Sequence, residues 1–199
     1  MLENNYNAMK SPWLLPIYDE VFKRLKDEPI RLLELGILGG GSLQMWRDYF
    51  QKGIIIGFDR EPFMADYGDR VFFKQGDQGD PGAFRWIKDE WPFDIIIDDC
   101  AHQGALARAS FNILFPHLKP GGIYVVEDWG TGYWGSAWPD GTPYESGKIH
   151  TGGMVGFIHE LVDETGADDI RELARPSKFE WMRLSWGQCI IKKANRNAI

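Results

Sequence analysis

Residues 31–50 read RLLELGILGGGSLQMWRDYF, passing from a short apolar run through a cluster of glycines into a segment with helical spacing of apolar side chains. Leu32, Leu33 and Leu35, ended by Gly36, predict a buried strand, and Gly39 to Gly41 predict a tight turn with Ser42 as N-cap of a helix reaching Phe50. The same unit recurs along the chain. GIIIGFD (53–59), VFFKQGDQGD (71–80), FDIIIDD (93–99) and IYVVEDW (123–129) are further continuous apolar runs of strand length. Between them, PGAFRWIKDE (81–90) starts with a first-turn proline and reads as a helix. A second helix spans about 103–118, before a KPGG turn into the last of these strands. Strands that are apolar throughout, alternating with helices, predict an α/β fold: a doubly wound, mostly parallel sheet with helices on both faces.

The flanks complete this plan. SPWLLPIYDEVFKRLKDE (11–28) reads as an amphipathic opening helix behind a Ser-Pro start, within an N-terminal helical segment at 1–30. A further helix is expected at about 153–165. KFEWMRLSWGQCIIKKA (178–194) reads as two strands meeting at Gly187, a C-terminal antiparallel hairpin on the sheet edge. Residues 129–153 hold Trp129, Trp134 and Trp138 among glycines, a long loop that reads as a lid or as a dimer contact. At 199 residues the chain is expected to form a single domain, 1–199.

Composition narrows the function classes. A net charge of −7 with no Lys/Arg cluster argues against nucleic acid, whose affinity depends on basic residues releasing counterions. With no long apolar run, membrane spanning is not expected. Two unpatterned cysteines, Cys100 and Cys189, point to a reducing, cytoplasmic setting rather than a disulfide framework. Small molecules are the expected partners, and homo-oligomer formation stays open.

In an open α/β sheet the ligand lies beyond the carboxyl ends of the strands, where strand order reverses. Four groups converge there. Glu34, Gly36, Gly40 and Ser42 belong to the first strand and its glycine turn, where backbone can approach a ligand and a helix N-terminus follows. The spacing G-x-x-G-G-G departs from the dinucleotide fingerprint G-x-G-x-x-G. Asp59 ends the second strand where it can accept ribose hydroxyls, and Asp77 and Gln78 leave the third strand on the adenine side or in a plain turn. Asp99, Glu127 and Asp128 end the fourth and fifth strands. With no Lys or Arg nearby in sequence, a divalent cation such as Mg²⁺ would hold these oxygens together. Asp98 is placed with the cofactor group or as a structural partner of Asp99. His102, three residues beyond Asp99, is the candidate general base; packing against the loop or capping the turn are the other readings.

ELGILGGGS, Asp59, GDQ, FDIIIDDCAH, LKPGG and VVEDWGTGYW, in that order and followed by a hairpin, resemble the class I S-adenosylmethionine-dependent methyltransferases. Within them the chain looks most like the metal-dependent sugar O-methyltransferases of the macrocin and mycinamicin type and the cephalosporin-hydroxylase-like group. The resemblance implies S-adenosylmethionine held by the glycine turn and Asp59. It also implies Mg²⁺ held by Asp99, Glu127 and Asp128, with His102 as base. The implied reaction is methyl transfer to a hydroxyl of a small molecule, a sugar or phenolic group of a natural product. A nucleotide-linked oxidoreductase and a non-catalytic cofactor-binding protein are the competing readings.

Overall fold

A computed structural model describes residues 2–3, 5–88, 91–170, 173 and 175–195. Its strands are β1 (Arg31–Leu35), β2 (Ile54–Asp59), β3 (Val71–Gln75), β4 (Phe93–Asp98), β5 (Leu118–Glu127), β6 (Phe179–Ser185) and β7 (Gln188–Lys193). They form one sheet in the order β3-β2-β1-β4-β5-β7-β6. β1 to β5 pair in parallel, while β7 runs antiparallel between β5 and β6. The doubly wound sheet and terminal hairpin are therefore as expected. Strand order reverses between β1 and β4, which sets the place of the cleft.

Alternation along the strands sorts side chains onto two apolar layers. Leu32, Ile55, Ile95, Ile97, Ile123 and Val125 pack beneath α1 (Leu15–Phe22) and α2 (Gly41–Tyr49). Leu33, Leu35, Ile96, Tyr124 and Val126 face α3 (Gly104–Leu114) and α4 (Gly153–Thr165). Both layers are closely filled: Trp46, Tyr18 and Phe22 are fully buried on one side and Phe157 and Phe93 on the other. Complete burial of each such side chain contributes on the order of 1.5–3 kcal/mol before its entropy cost is counted.

Some elements differ from expectation. The segment 81–90 forms one 3₁₀ turn, Pro81–Phe84, capped by Asp80 Oδ1 accepting from the Gly82 N–H at 2.8 Å; its last two residues lie outside the described set. Gly82 is a poor helix former, and Phe84 is drawn into the core, so the turn does not propagate. The opening helix is shorter than 11–28. It ends at Phe22 in successive turns, ahead of Pro29, which disfavours helical backbone at Glu28. Ser42 is not the N-cap of α2: that position is Gly40, at φ +76°, and its side chain is absent because a left-handed residue is needed there. The KPGG sequence lies inside β5, which begins at Leu118, and forms an irregularity there, between Leu118 and Ile123, opposite Phe93 and Ile95 of β4. Among the described residues no helix is long and apolar enough to cross a membrane.

Candidate active site

A cleft of about 430 Å³ opens at the carboxyl ends of β1, β2 and β4, within the size range of small-molecule sites. Gly36, Ser42, Asp59, Asp77, Gln78, Asp99, His102 and Asp128 all line it. Glu34, Gly40, Asp98 and Glu127, the remaining residues expected there, are not among the residues that line it.

The glycine turn is shaped by contacts within the chain as well as by the space it leaves. Gly36 has φ +81°, and a Cβ on it would lie 2.1 Å from the Asp99 carbonyl oxygen, so β1 can approach the end of β4 only with glycine here. A Cβ on Gly41 would meet the Tyr6 carbonyl at 2.4 Å. Gly39 faces open space. Asp59 Oδ2 accepts from the backbone N–H groups of Ile37 and Leu38 at 2.9 and 3.2 Å, and its Oδ1 from Glu61 at 3.0 Å. The carboxylate thus fixes the turn from the second strand while remaining on the cleft surface. This turn-holding role has no signal in sequence beyond the strand-ending position.

The adjacent acids of DD at 98–99 part to opposite faces, as strand alternation requires. Asp98 turns toward α3. Ser110 Oγ donates to Asp98 Oδ2 at 2.6 Å, and Gln78 Nε2 donates to both carboxylate oxygens at 2.7 and 2.9 Å. Burial pushes this carboxyl up to about 6 against the pull of those donors. Gln78 Oε1 in turn accepts from the Ala101 N–H at 3.3 Å, linking the third-strand exit to the end of β4.

Asp99 turns the other way, together with Glu34 and Glu127, toward a cation that sequence reasoning missed. Lys10 Nζ lies 2.8 Å from Asp99 Oδ2, 2.6 Å from Glu127 Oε1 and 2.9 Å from Glu34 Oε1, with its side chain 1% exposed. The expectation that no lysine or arginine serves these acids held only for neighbours in sequence. Lys10 is 89 residues from Asp99 and reaches it because the N-terminal segment runs over Gly41. Tyr18 OH also donates to Glu127 Oε1. Burial and the Asp99 charge push Glu127 up to about 7, opposed by Lys10 and Tyr18. Burial likewise pushes Asp99 up to about 6. Both Glu34 carboxylate oxygens are buried with no hydrogen-bond partner, so Lys10 meets Glu34 as an ion pair only. Asp128 adds a fourth carboxylate on the His102 side, so the cluster holds more acids than its one ammonium can balance.

The second candidate set is more open. Asp99, His102 and Asp128 each bring one ligand atom within 4.8 Å of the others, and the Asp128 side chain is 49% exposed. His102 Nε2 is 3.8 Å from both Asp99 Oδ1 and Asp128 Oδ2. Burial lowers the imidazole below its ordinary value, with the neighbouring acids opposing, so the ring is neutral near pH 7. Hard oxygen donors in this number could hold Mg²⁺. His102 has φ +49°, and its carbonyl accepts from Trp138 Nε1 at 2.7 Å and Thr131 Oγ1 at 3.1 Å. Both donors come from the tryptophan-rich loop, which is pinned across the start of α3 by Asp140 Oδ2 accepting from the Gly104 N–H at 2.6 Å.

The remaining candidates are structural. Cys100 and Cys189 are free thiols, and burial raises the Cys100 pKa to about 12, so neither is a ready nucleophile. His150 stacks on Tyr144, and His159 lies on exposed helix surface.

A parallel sheet with this strand order, a terminal antiparallel hairpin and a carboxylate-lined cleft at the switch point define a class I methyltransferase fold. No protein-family model matches the chain. Individual proteins do match. Demethylmacrocin O-methyltransferase of Streptomyces fradiae is 38% identical over 168 residues, covering 80% of this chain and 42% of that protein. Mycinamicin VI 2''-O-methyltransferase of Micromonospora griseorubida is 38% identical over 159 residues, covering 76% and 39%. The MycE methyltransferase of the mycinamycin pathway, solved in complex with Mg and SAH, superposes with TM-score 0.78 at 30% identity over 92% of this chain and 50% of that one. The homologues of this chain are macrocin- and mycinamicin-type O-methyltransferases, and it spans less than half the length of these two relatives.

Proposed function

We propose that this domain is an S-adenosylmethionine- and Mg²⁺-dependent O-methyltransferase acting on a hydroxyl of a small molecule, a sugar or phenolic group of a natural product. The observation that carries the reading is the juxtaposition, in one cleft, of a glycine turn braced by Asp59 with a neutral His102 between the carboxylates of Asp99 and Asp128. The matched relatives are O-methyltransferases by name.

Gly36, Ser42, Asp59, Asp77 and Gln78 would hold the cofactor, with Asp98 holding Gln78, Gly40 setting the turn and Glu34 paired with Lys10. Asp99 and Asp128, with Glu127 beside them, would hold the metal. S-adenosylmethionine supplies an electrophilic methyl carbon on a sulfonium, and Mg²⁺ lowers the pKa of an acceptor hydroxyl and orients it. Methyl transfer is an in-line displacement, so the chain contributes chiefly by positioning. His102 Nε2 takes the hydroxyl proton, and the two hydrogen bonds to the His102 carbonyl keep the ring on the cleft side. Trp134, exposed on the pinned loop and edge-on to Trp138, leaves an aromatic face free for a sugar or ring. The acidic net charge and absence of a basic cluster support a small-molecule acceptor over nucleic acid, and cytoplasmic chemistry fits the free thiols.

Incubation with methyl-labelled S-adenosylmethionine, Mg²⁺ and a panel of hydroxylated glycosides and phenols, read by mass spectrometry, tests this. Gain of one labelled methyl group, abolished by EDTA, is expected. Transfer that is indifferent to EDTA would remove the metal from the proposal.

A further inference from the structure

We propose that Lys10 is a built-in counter-ion of the acid cluster, and that its ammonium and a divalent cation compete for Asp99 and Glu127. The inference rests on the metal reading above and concerns how that site is filled.

An ammonium has three N–H donors, and Lys10 faces three carboxylates, Glu34, Asp99 and Glu127, at 2.6–2.9 Å. Nζ donates hydrogen bonds to Asp99 and Glu127 and is ion-paired with Glu34, all shielded from solvent. Removing either side would leave uncompensated buried charge, which is strongly unfavourable. All three acids lie on the α1 and α2 side of the sheet because they continue the alternation of Leu32 on β1, of Ile95 and Ile97 just past the end of β4, and of Ile123 and Val125 on β5. Lys10 therefore neutralises the very pair, Asp99 and Glu127, on which a metal would depend.

Mg²⁺ takes oxygen ligands at about 2.0–2.1 Å in near-octahedral array. An ion on the same Asp99 and Glu127 oxygens would sit within a few ångströms of Nζ, where like charges repel. With Lys10 inserted, the carboxylate oxygens left to a metal are Asp99 Oδ1 and Asp128 Oδ2. With Lys10 withdrawn, Glu127 joins them. Withdrawal also removes one tie of the N-terminal segment, whose other ties include Tyr6 OH donating to Asp48 at the surface, burial of Leu2 and Ala8 in the apolar layer, and close backbone packing on Gly41. Asn7 and Met9 of that segment line the cleft, so metal entry is linked to movement of a strap at the cofactor pocket. Such linkage is reciprocal: whatever holds the strap down weakens the metal, and the metal loosens the strap.

The test is Mg²⁺ titration by calorimetry of the wild-type chain and Lys10→Met, with amide hydrogen exchange of wild-type residues 5–10 recorded with and without Mg²⁺. Lys10→Met is expected to bind Mg²⁺ about tenfold tighter or more, and Mg²⁺ is expected to raise exchange in the wild-type segment. Equal or weaker binding by Lys10→Met, or unchanged or slower wild-type exchange, overturns the competition while leaving the metal site standing. If neither protein binds Mg²⁺, the metal reading falls and the competition with it. Should Lys10→Met fail to fold without metal, the wild-type exchange measurement decides.

Discussion

Trp138 donates its indole N–H to the carbonyl oxygen of His102 at 2.7 Å, tying the tryptophan-rich loop to the candidate base. The bond matters because His102 sits at φ +49°, a conformation that costs a non-glycine residue about 1 kcal/mol or more unless its surroundings enforce it. Thr131 Oγ1 shares the same acceptor at 3.1 Å, so two loop side chains hold one backbone group.

Trp138→Phe keeps an aromatic ring and removes the donor. A lost hydrogen bond of about 0.5–1.5 kcal/mol predicts a methyl-transfer rate lower by up to about tenfold. S-adenosylhomocysteine affinity should not change, because Trp138 does not line the cleft. Steady-state kinetics together with calorimetry separate the two quantities; a loss confined to cofactor affinity would show that the loop acts elsewhere.

Asp59 has a different signature. Its Oδ2 receives two N–H groups of the glycine turn, so Asp59→Ala should loosen the cofactor wall. S-adenosylhomocysteine binding is expected to weaken by roughly tenfold or more, and stability to fall by about 0.5–1.5 kcal/mol as the part-buried Ile37 N–H and the exposed Leu38 N–H lose their acceptor. Calorimetry and urea denaturation measure these independently.

Ser110→Ala probes the buried polar support behind the site. Asp98 Oδ2 loses a 2.6 Å donor, and the carboxylate keeps Gln78 Nε2. A cost of about 1–3 kcal/mol is expected from denaturant unfolding. An unchanged midpoint would mean that Gln78 alone satisfies this carboxylate.

Acid stability should carry a contribution from Glu164 and Arg175. Burial opposes ionisation of Glu164, but the Arg175 guanidinium, at 2.5 and 2.8 Å, and the Lys178 N–H together hold it below the ordinary value. A carboxylate with a depressed folded-state pKa adds stability above its unfolded-state pKa and loses it as pH falls through the folded-state value. Wild type should therefore lose more melting temperature than Arg175→Ala between pH 6 and pH 3, a range that brackets the carboxylate values. Parallel pH profiles of the two proteins would contradict this assignment.

Much of this was legible in sequence because strand alternation and glycine turns act locally. FDIIIDD read as a buried strand, and alternation explains why Asp98 and Asp99 part to opposite faces. Asp59, Asp77, Gln78, Asp99, His102 and Asp128 were placed on one cleft from strand ends alone, and the structure brings them there. Lys10 was not legible. It lies in a segment without periodic pattern, and its partners are far along the chain, so only the tertiary path over Gly41 brings it to Glu127. The same limit applies to 81–90, whose proline start reads as helix although Gly82 and burial of Phe84 allow a single turn. Ser42 failed as a cap because the turn demanded left-handed backbone at residue 40, and glycine met that need first.

The central claim, that the cleft is built for S-adenosylmethionine, is tested most directly by calorimetric titration of the purified chain with S-adenosylhomocysteine and, separately, with NAD. The account predicts saturable binding of S-adenosylhomocysteine that weakens in Asp59→Ala, and no binding of NAD. Saturable NAD binding with none of S-adenosylhomocysteine would contradict it.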